Sequence, residues 1–180
     1  ESMGQFTELK DRLVIINGVA KGYAMTGWRI GYIAAPKAIV SACNKIQGQY
    51  TSGICTIAQA ASLEAVKMSP ENSEEIQTML KAFRNRRDMF FELLSEIPGL
   101  KLSKPAGAFY MFPEVKSYFG KTDGETTINN SDDLCLYLLN KAHVACVAGA
   151  AFGNEECIRL SYATSEDKLR EAAARIEEAL

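Results

Sequence analysis

The stretch Asn17-Gly18-Val19-Ala20-Lys21-Gly22-Tyr23-Ala24-Met25-Thr26-Gly27-Trp28-Arg29-Ile30-Gly31-Tyr32 decides how this chain is read. The apolar run Leu13-Val14-Ile15-Ile16 precedes it and reads as a buried strand ending in an Asn17-Gly18 turn. Trp28 to Ala34 reads as a second strand, with Arg29 inside it. Lys21 follows the first strand and is surrounded by small and apolar residues. An ammonium in such a place is partly desolvated, which makes it a usable amine nucleophile, although a bare loop lysine is far more often simply solvated. A buried guanidinium at Arg29 needs an anion. That anion is either a carboxylate of the protein or a ligand phosphate or carboxylate held by two parallel hydrogen bonds.

Outward from this stretch, the composition sets limits. A chain of 180 residues corresponds to one domain or a little more. With 47% apolar and 23% charged residues it has the makeup of a globular protein able to bury a core. A formal net charge of -2 excludes the basic excess of a protein that coats nucleic acid or anionic lipid. No apolar run approaches the roughly 20 residues of a membrane span, and no basic-then-apolar leader opens the chain. The five cysteines, Cys43, Cys55, Cys135, Cys146 and Cys157, form no C-x-x-C, and His143 is the single histidine. No metal site is expected; reduced, buried thiols in a cytoplasmic protein are.

Further along, Pro36 opens a helix to about Tyr50, and Thr56 to Met68 reads as another. Ser69-Pro70-Glu71-Asn72 breaks the pattern. A long helix follows, with Ile76, Met79, Leu80, Phe83, Phe90, Leu94 and Ile97 forming one stripe until Pro98-Gly99 stops it. Leu100 to Ser103 and Ala108 to Phe112 read as strands, and Glu114 to Asn130 as a loop. Ser131-Asp132-Asp133 is expected to cap a helix reaching about Ala142, with His143 at its end. Val144 to Val147 and Cys157 to Tyr162 are strand candidates, and Thr164-Ser165-Glu166-Asp167 introduces a final amphipathic helix. The fold class is α/β.

Arg159 alternates with Ile158 and Leu160 in a strand pattern. Plain outward alternation is the simpler reading, and a planar fork for a carboxylate is the other. Gly149-Ala150-Ala151-Phe152-Gly153 carries no nucleotide-binding pattern, and Gln47-Gly48-Gln49-Tyr50-Thr51-Ser52 is a polar turn suited to an anion or to nothing.

Taken together, these segments resemble the C-terminal half of a class I pyridoxal-phosphate-dependent aminotransferase of the bacterial aspartate aminotransferase type. Residues Asn17 to Tyr32 match that family's cofactor-lysine motif nearly throughout. Pro105-Ala106-Gly107-Ala108-Phe109-Tyr110, Val144 to Gly153 and Arg159-Leu160-Ser161-Tyr162-Ala163-Thr164-Ser165 recur in the family's order. Ala20 and Ala148 depart from it, where many relatives have Ser and Pro. The resemblance implies the rear portion of a fold-type I transferase: residues 1–70 as the tail of the large α/β cofactor domain, 71–98 as a long connecting helix, and 99–180 as a small α+β domain.

The resemblance also implies roles. Lys21 is the residue joined to pyridoxal 5'-phosphate and the proton-carrying acid and base. Arg29 holds the cofactor phosphate, with Thr51 and Ser52 reaching a neighbouring subunit's cofactor. Arg159 grips the substrate α-carboxylate, and Phe109 lines the substrate pocket. The partners implied are an amino acid, aspartate or glutamate first, and a 2-oxo acid, with a homodimer and with neither nucleic acid nor membrane. The family's remaining cofactor contacts lie upstream of its lysine, so the 180 residues alone are expected to be inactive. Two other readings stay open: an amino-acid-sensing domain of a transcription regulator, and a lyase or decarboxylase of the same fold.

Overall fold

The computed structural model describes residues 2–180, which divide into two compact units, Glu1–Gln77 and Thr78–Leu180. In the first unit, β1 (Ile15–Gly18) and β2 (Gly31–Ala34) form an antiparallel pair with Ile15 opposite Ala34 and Gly18 opposite Gly31. Two helices follow, α1 (Lys37–Tyr50) and α2 (Thr56–Lys67), close to their expected bounds. Pro36 sits at the N-cap of α1 with φ -53°, the value its ring imposes and a helix entry accepts.

Three expectations fail here. Asn17-Gly18 is not a turn but the end of β1, paired with Tyr32 and Gly31. The reversal lies beyond it, in the hydrogen-bonded turns around Val19–Ala24. Nor are the strands buried: Ile16 is 78% exposed, because no described residue forms a second layer over this face. Arg29 is outside the second strand. Trp28 N donates to Met25 O at 3.3 Å, closing a short 3-10 turn over Thr26–Trp28, and Arg29 leaves that turn with φ 56°, which no strand residue adopts.

Helix α3 (Glu74–Ser95) starts in the first unit, where Ser73 Oγ accepts from Ile76 N at 3.3 Å, and its body lies in the second. In the second unit β3 (Tyr110–Met111), β4 (Val147–Ala148) and β5 (Ile158–Ser161) form an antiparallel sheet in the order β3-β5-β4. Phe90 and Leu94 of α3 share one core with Met111, Ile158 and Leu160 of the sheet and with residues of α4 (Ser131–Tyr137) and α5 (Glu166–Ala179). Each fully buried aliphatic or aromatic side chain contributes about 1.5–3 kcal/mol.

The expected strands over Leu100–Ser103 and Ala108–Phe112 shrink to a single bridge, Lys101 to Glu114, and to β3. Ala108 has φ 58°, so the strand cannot begin before it. The cap of α4 is Asn130, not Ser131: its Oδ1 accepts from Asp133 N at 2.9 Å. Asn130 has the extended backbone of an N-cap, whereas Ser131 is already helical. The helix ends in a wide π turn over Leu138–Ala142, and His143 closes it in a left-handed conformation by donating its backbone N–H to Leu138 O. The cysteines are not uniformly buried: Cys157 is, Cys43 and Cys55 are exposed, and Cys135 and Cys146 are intermediate. Cys43 lies on α1, none of whose residues is buried.

An ion cluster ties α3 to the segment that leads into β3. Asp88 accepts from Arg87 Nε at 2.8 Å and from Lys104 Nζ at 2.8 Å. Hydrogen bonds from Arg87, then from Lys104, hold the Asp88 carboxyl down to about 2. A carboxyl whose folded value lies below its unfolded value of about 3.9 stabilises the fold above that pH and loses the contribution as pH falls through the folded value. Urea unfolding of the Asp88→Asn variant is therefore expected to show a flatter loss of stability between about pH 4 and pH 2 than the parent chain. A parallel loss in both proteins removes Asp88 from the linkage. Leu94, fully buried in the core, is expected to cost about 2–5 kcal/mol when replaced by Ala. Leu136→Ala, at a side chain 58% exposed, is expected to leave the same unfolding curve nearly in place.

Candidate active site

The expected site residues divide between the two units, Lys21, Arg29, Thr51 and Ser52 in the first, Phe109 and Arg159 in the second. Lys21 sits in the turn after β1, where Tyr23 N donates to Val19 O at 3.3 Å and Ala24 N to Lys21 O at 3.2 Å. Val19 is fully buried and anchors this turn. Lys21 itself is exposed. The expected desolvation is therefore absent in this chain, since the apolar neighbours in sequence do not close over the side chain.

Arg29 is also exposed, not buried, and its Nη1 donates to Thr26 O at 2.8 Å. This bond fixes the guanidinium beside the turn that carries it. An open cleft of about 770 Å³ is lined by Gly27, Trp28 and Arg29 on one side and by Gln47, Thr51 and Gly53 among others. The structure thus brings Arg29 and Thr51 to one cleft. Lys21 and Ser52 are not in its lining. Thr51 follows α1, its backbone N–H donating to Gln47 O at 2.9 Å while its hydroxyl accepts from the Gln47 side chain. Ser52 turns the chain with φ 63°.

In the second unit Arg159 lies on β5 between buried Ile158 and Leu160, and is itself only partly exposed. The alternation expected of a half-exposed strand is present. Its guanidinium is stacked between two aromatic rings, 4.4 Å from the Tyr110 centroid and 4.3 Å from that of Phe152. No carboxylate among the described residues forms an ion pair with it. Tyr110 stands opposite Ser161 in the β3–β5 ladder, which makes it the diagonal neighbour of Arg159. Phe109 packs on Tyr110 with centroids 4.6 Å apart and on Phe83 at 6.0 Å, so Phe109 and Arg159 belong to one aromatic cluster.

Two backbone features hold this cluster. Tyr162 OH donates to Ala108 O at 3.0 Å and Tyr162 N to Phe109 O at 2.9 Å, pinning the turn that presents Phe109. Gly149 donates its N–H to Cys157 O at 2.7 Å, and a Cβ there would lie 2.2 Å from Asn154 O. Only glycine permits this approach, and it folds residues 149–152 back so that Phe152 covers Arg159. Tyr110 and Phe152 lie in motifs quoted above, but nothing in the one-dimensional pattern pairs them with Arg159. Their partnership with Arg159 depends on strand register and on the Gly149 turn.

The donors fit pyridoxal phosphate as a chemical set. A guanidinium and a hydroxyl facing one cleft suit a phosphate, and a primary amine on a neighbouring turn suits an aldehyde. The comparisons with known proteins agree on the kind of molecule. The family model described as aminotransferase class I and II matches residues 4–176. The bifunctional aspartate aminotransferase and glutamate/aspartate-prephenate aminotransferase of Petunia hybrida is 51% identical over 171 residues, which cover 94% of this chain and 36% of that protein. The aspartate/prephenate aminotransferase of Cereibacter sphaeroides is 45% identical, over 94% of this chain and 42% of its own. Among solved structures, the aspartate aminotransferase from Rhizobium meliloti superposes with a TM-score of 0.88 at 43% identity, covering 95% of this chain and 42% of that one. The aromatic aminotransferase from Pyrococcus horikoshii superposes with a TM-score of 0.87 at 35% identity, covering 98% and 45%. The chain spans about two fifths of the length of these relatives. The mixed helix-and-sheet architecture is accordingly that of part of a fold-type I transferase, and this chain belongs to the class I and II aminotransferases.

Proposed function

We propose that the protein carrying this region moves an amino group between an L-amino acid, aspartate or glutamate first, and a 2-oxo acid, with pyridoxal phosphate as cofactor. The observation that carries the reading is Arg159: a cation stacked between Tyr110 and Phe152, its planar edge left for an external anion. Two parallel hydrogen bonds from that edge match a substrate α-carboxylate. Stacking on both faces leaves the guanidinium little freedom, so a bound carboxylate is oriented as well as held.

When bound, pyridoxal phosphate supplies an aldehyde that condenses with amines and a ring that accepts electron density from the substrate Cα. Arg29 would hold the phosphate, and Thr51, which lines the same cleft, would reach the cofactor of a neighbouring subunit. Ser52, in the turn beside Thr51, belongs to the same reading. Lys21 would provide the amine that joins the cofactor aldehyde, and the same amine would serve as the base and acid that moves the proton between substrate Cα and cofactor C4′. Phe109, packed on Tyr110, would line the substrate pocket beside the carboxylate grip.

The expected homodimer belongs to the same proposal. Ile46, Tyr50 and Ile57 of α1 and α2 are 61%, 85% and 73% exposed, apolar surface that a partner subunit would cover. A cytoplasmic setting is part of this reading. Both curated relatives above have prephenate in their names, so prephenate joins oxaloacetate and 2-oxoglutarate as an acceptor to be tried.

The test uses the protein that carries this region, loaded with cofactor. Lys21→Ala is expected to remove the visible absorbance that arises when the lysine amine joins the cofactor aldehyde, and the turnover with it. Arg159→Ala is expected to keep that absorbance, raise KM and lower kcat/KM by about 100-fold or more, because a bidentate charge-assisted pair is lost. Unchanged kinetics in Arg159→Ala rejects the carboxylate role. Retained absorbance in Lys21→Ala rejects the cofactor role.

A further inference from the structure

Two thiols have no part in the chemistry above. Cys135 lies on α4 and Cys146 immediately before β4, and Cys146 Sγ donates to Cys135 Sγ at 3.4 Å across eleven residues of chain. Both are partly accessible. Cys157 is buried, whereas Cys43 on α1 and Cys55 at the N-cap of α2 are exposed and lie in the other unit.

We propose that Cys135 and Cys146 form a dithiol modification site, which a low-molecular-weight disulfide converts into an intramolecular disulfide. A disulfide bond is about 2.05 Å long, so the sulfurs need to close by roughly 1.4 Å, within the reach of small side-chain rotations. The contact also sets the order of events. Cys146 is the donor, which favours the thiolate at Cys135: the hydrogen bond lowers the Cys135 thiol, against burial and the nearby Asp132. Cys146 is pushed up by that same bond, by burial and by the charge on Cys135.

The Cys135 thiolate attacks one sulfur of the reagent. The reagent's S–S bond breaks, a mixed disulfide forms at Cys135, and the leaving thiolate takes up a proton. With Cys135 capped, its hydrogen bond and charge no longer hold the proton on Cys146. Cys146 loses that proton, attacks the Cys135 sulfur and expels the second reagent thiolate, which is protonated in turn. Two protein thiols and one reagent disulfide become one protein disulfide and two reagent thiols; the protein is oxidised by two electrons and the reagent reduced by two. The new bond ties α4 to the edge strand β4, whose Val147 stands opposite Arg159 on β5. It also closes a short loop of the unfolded chain, which raises resistance to heat.

The experiment uses the full chain with Cys43→Ser and Cys55→Ser, so that the exposed thiols cannot link copies together. It is incubated with glutathione disulfide, and its intact mass, tryptic map and thermal midpoint are read before and after dithiothreitol. Lys141 lies between the two cysteines, so trypsin separates them and only a cross-link keeps their peptides joined. The expected result is a mass lower by two hydrogens, two joined tryptic peptides whose fragmentation places the bond on Cys135 and Cys146 and leaves Cys157, on the same peptide as Cys146, unmodified, and a raised midpoint that dithiothreitol reverses. In the same background, Cys146→Ala is expected to stop at one glutathione on Cys135. Separate glutathione adducts on Cys135 and Cys146, or a map without the cross-link, overturns the proposal. If Cys146→Ala does not fold, the map of the parent background alone decides.

Discussion

The second unit depends on β5 being paired along both edges. β3 and β4 bond to it from either side, so its register is fixed twice, with Met111 opposite Leu160 and Ala148 opposite Ile158. A slip of one residue would expose Ile158 and Leu160, at about 1.5–3 kcal/mol each, and drive Arg159 unpaired into the core. That double constraint turns a strand arginine into a positioned one. Tyr110 arrives from one neighbour strand, and Phe152 arrives from the turn that follows the other. The same strand continues into Tyr162, whose hydroxyl fastens the turn before β3.

The first unit is organised differently. Among the described residues its two strands pair only with each other, and its helices keep large apolar side chains in solvent. Val19 is fully buried beneath the turn that carries Lys21, and Ala58 and Ala65 of α2 and Ile76 of α3 are buried as well. The contrast is one of burial rather than of local geometry: the turns around Lys21 and Arg29 are closed by their own backbone hydrogen bonds. A binding surface made of turns whose conformation is set locally can be shaped before its ligand or any covering layer is present.

Much of the helix content was legible in sequence, for identifiable reasons. Pro36, the break at Ser69-Pro70 and Pro98-Gly99 are strong punctuation, and the apolar stripe of α3 has the helical period. The strands were legible as places but not as extents. Ala108 and Arg29 both take left-handed conformations at positions that look like strand interiors, since propensity does not register a neighbouring turn that has already spent the extended geometry. The Asn130 cap was displaced by one residue from the expected serine, because Asn, Ser and Asp compete nearly equally for that position.

The candidate site shows the same division. The order of the motifs around Lys21, Phe109, Gly149 and Arg159 sufficed to identify the family, because chemistry fixes residue type and spacing along the chain. It left open whether Arg159 was an outward strand residue or a carboxylate fork and whether Lys21 was desolvated or simply solvated, and it suggested burial for Arg29 that the fold does not provide. Sequence alone determined the residue types, their order and most helices, since these follow from local periodicity and capping. Tertiary structure decided which side chains meet: the ring pair around Arg159, the shared cleft of Arg29 and Thr51, and the contact of Cys135 with Cys146. Those meetings arise from strand register, from the close approach at Gly149 and from layers packed over long chain separations, none of which is written in any local stretch.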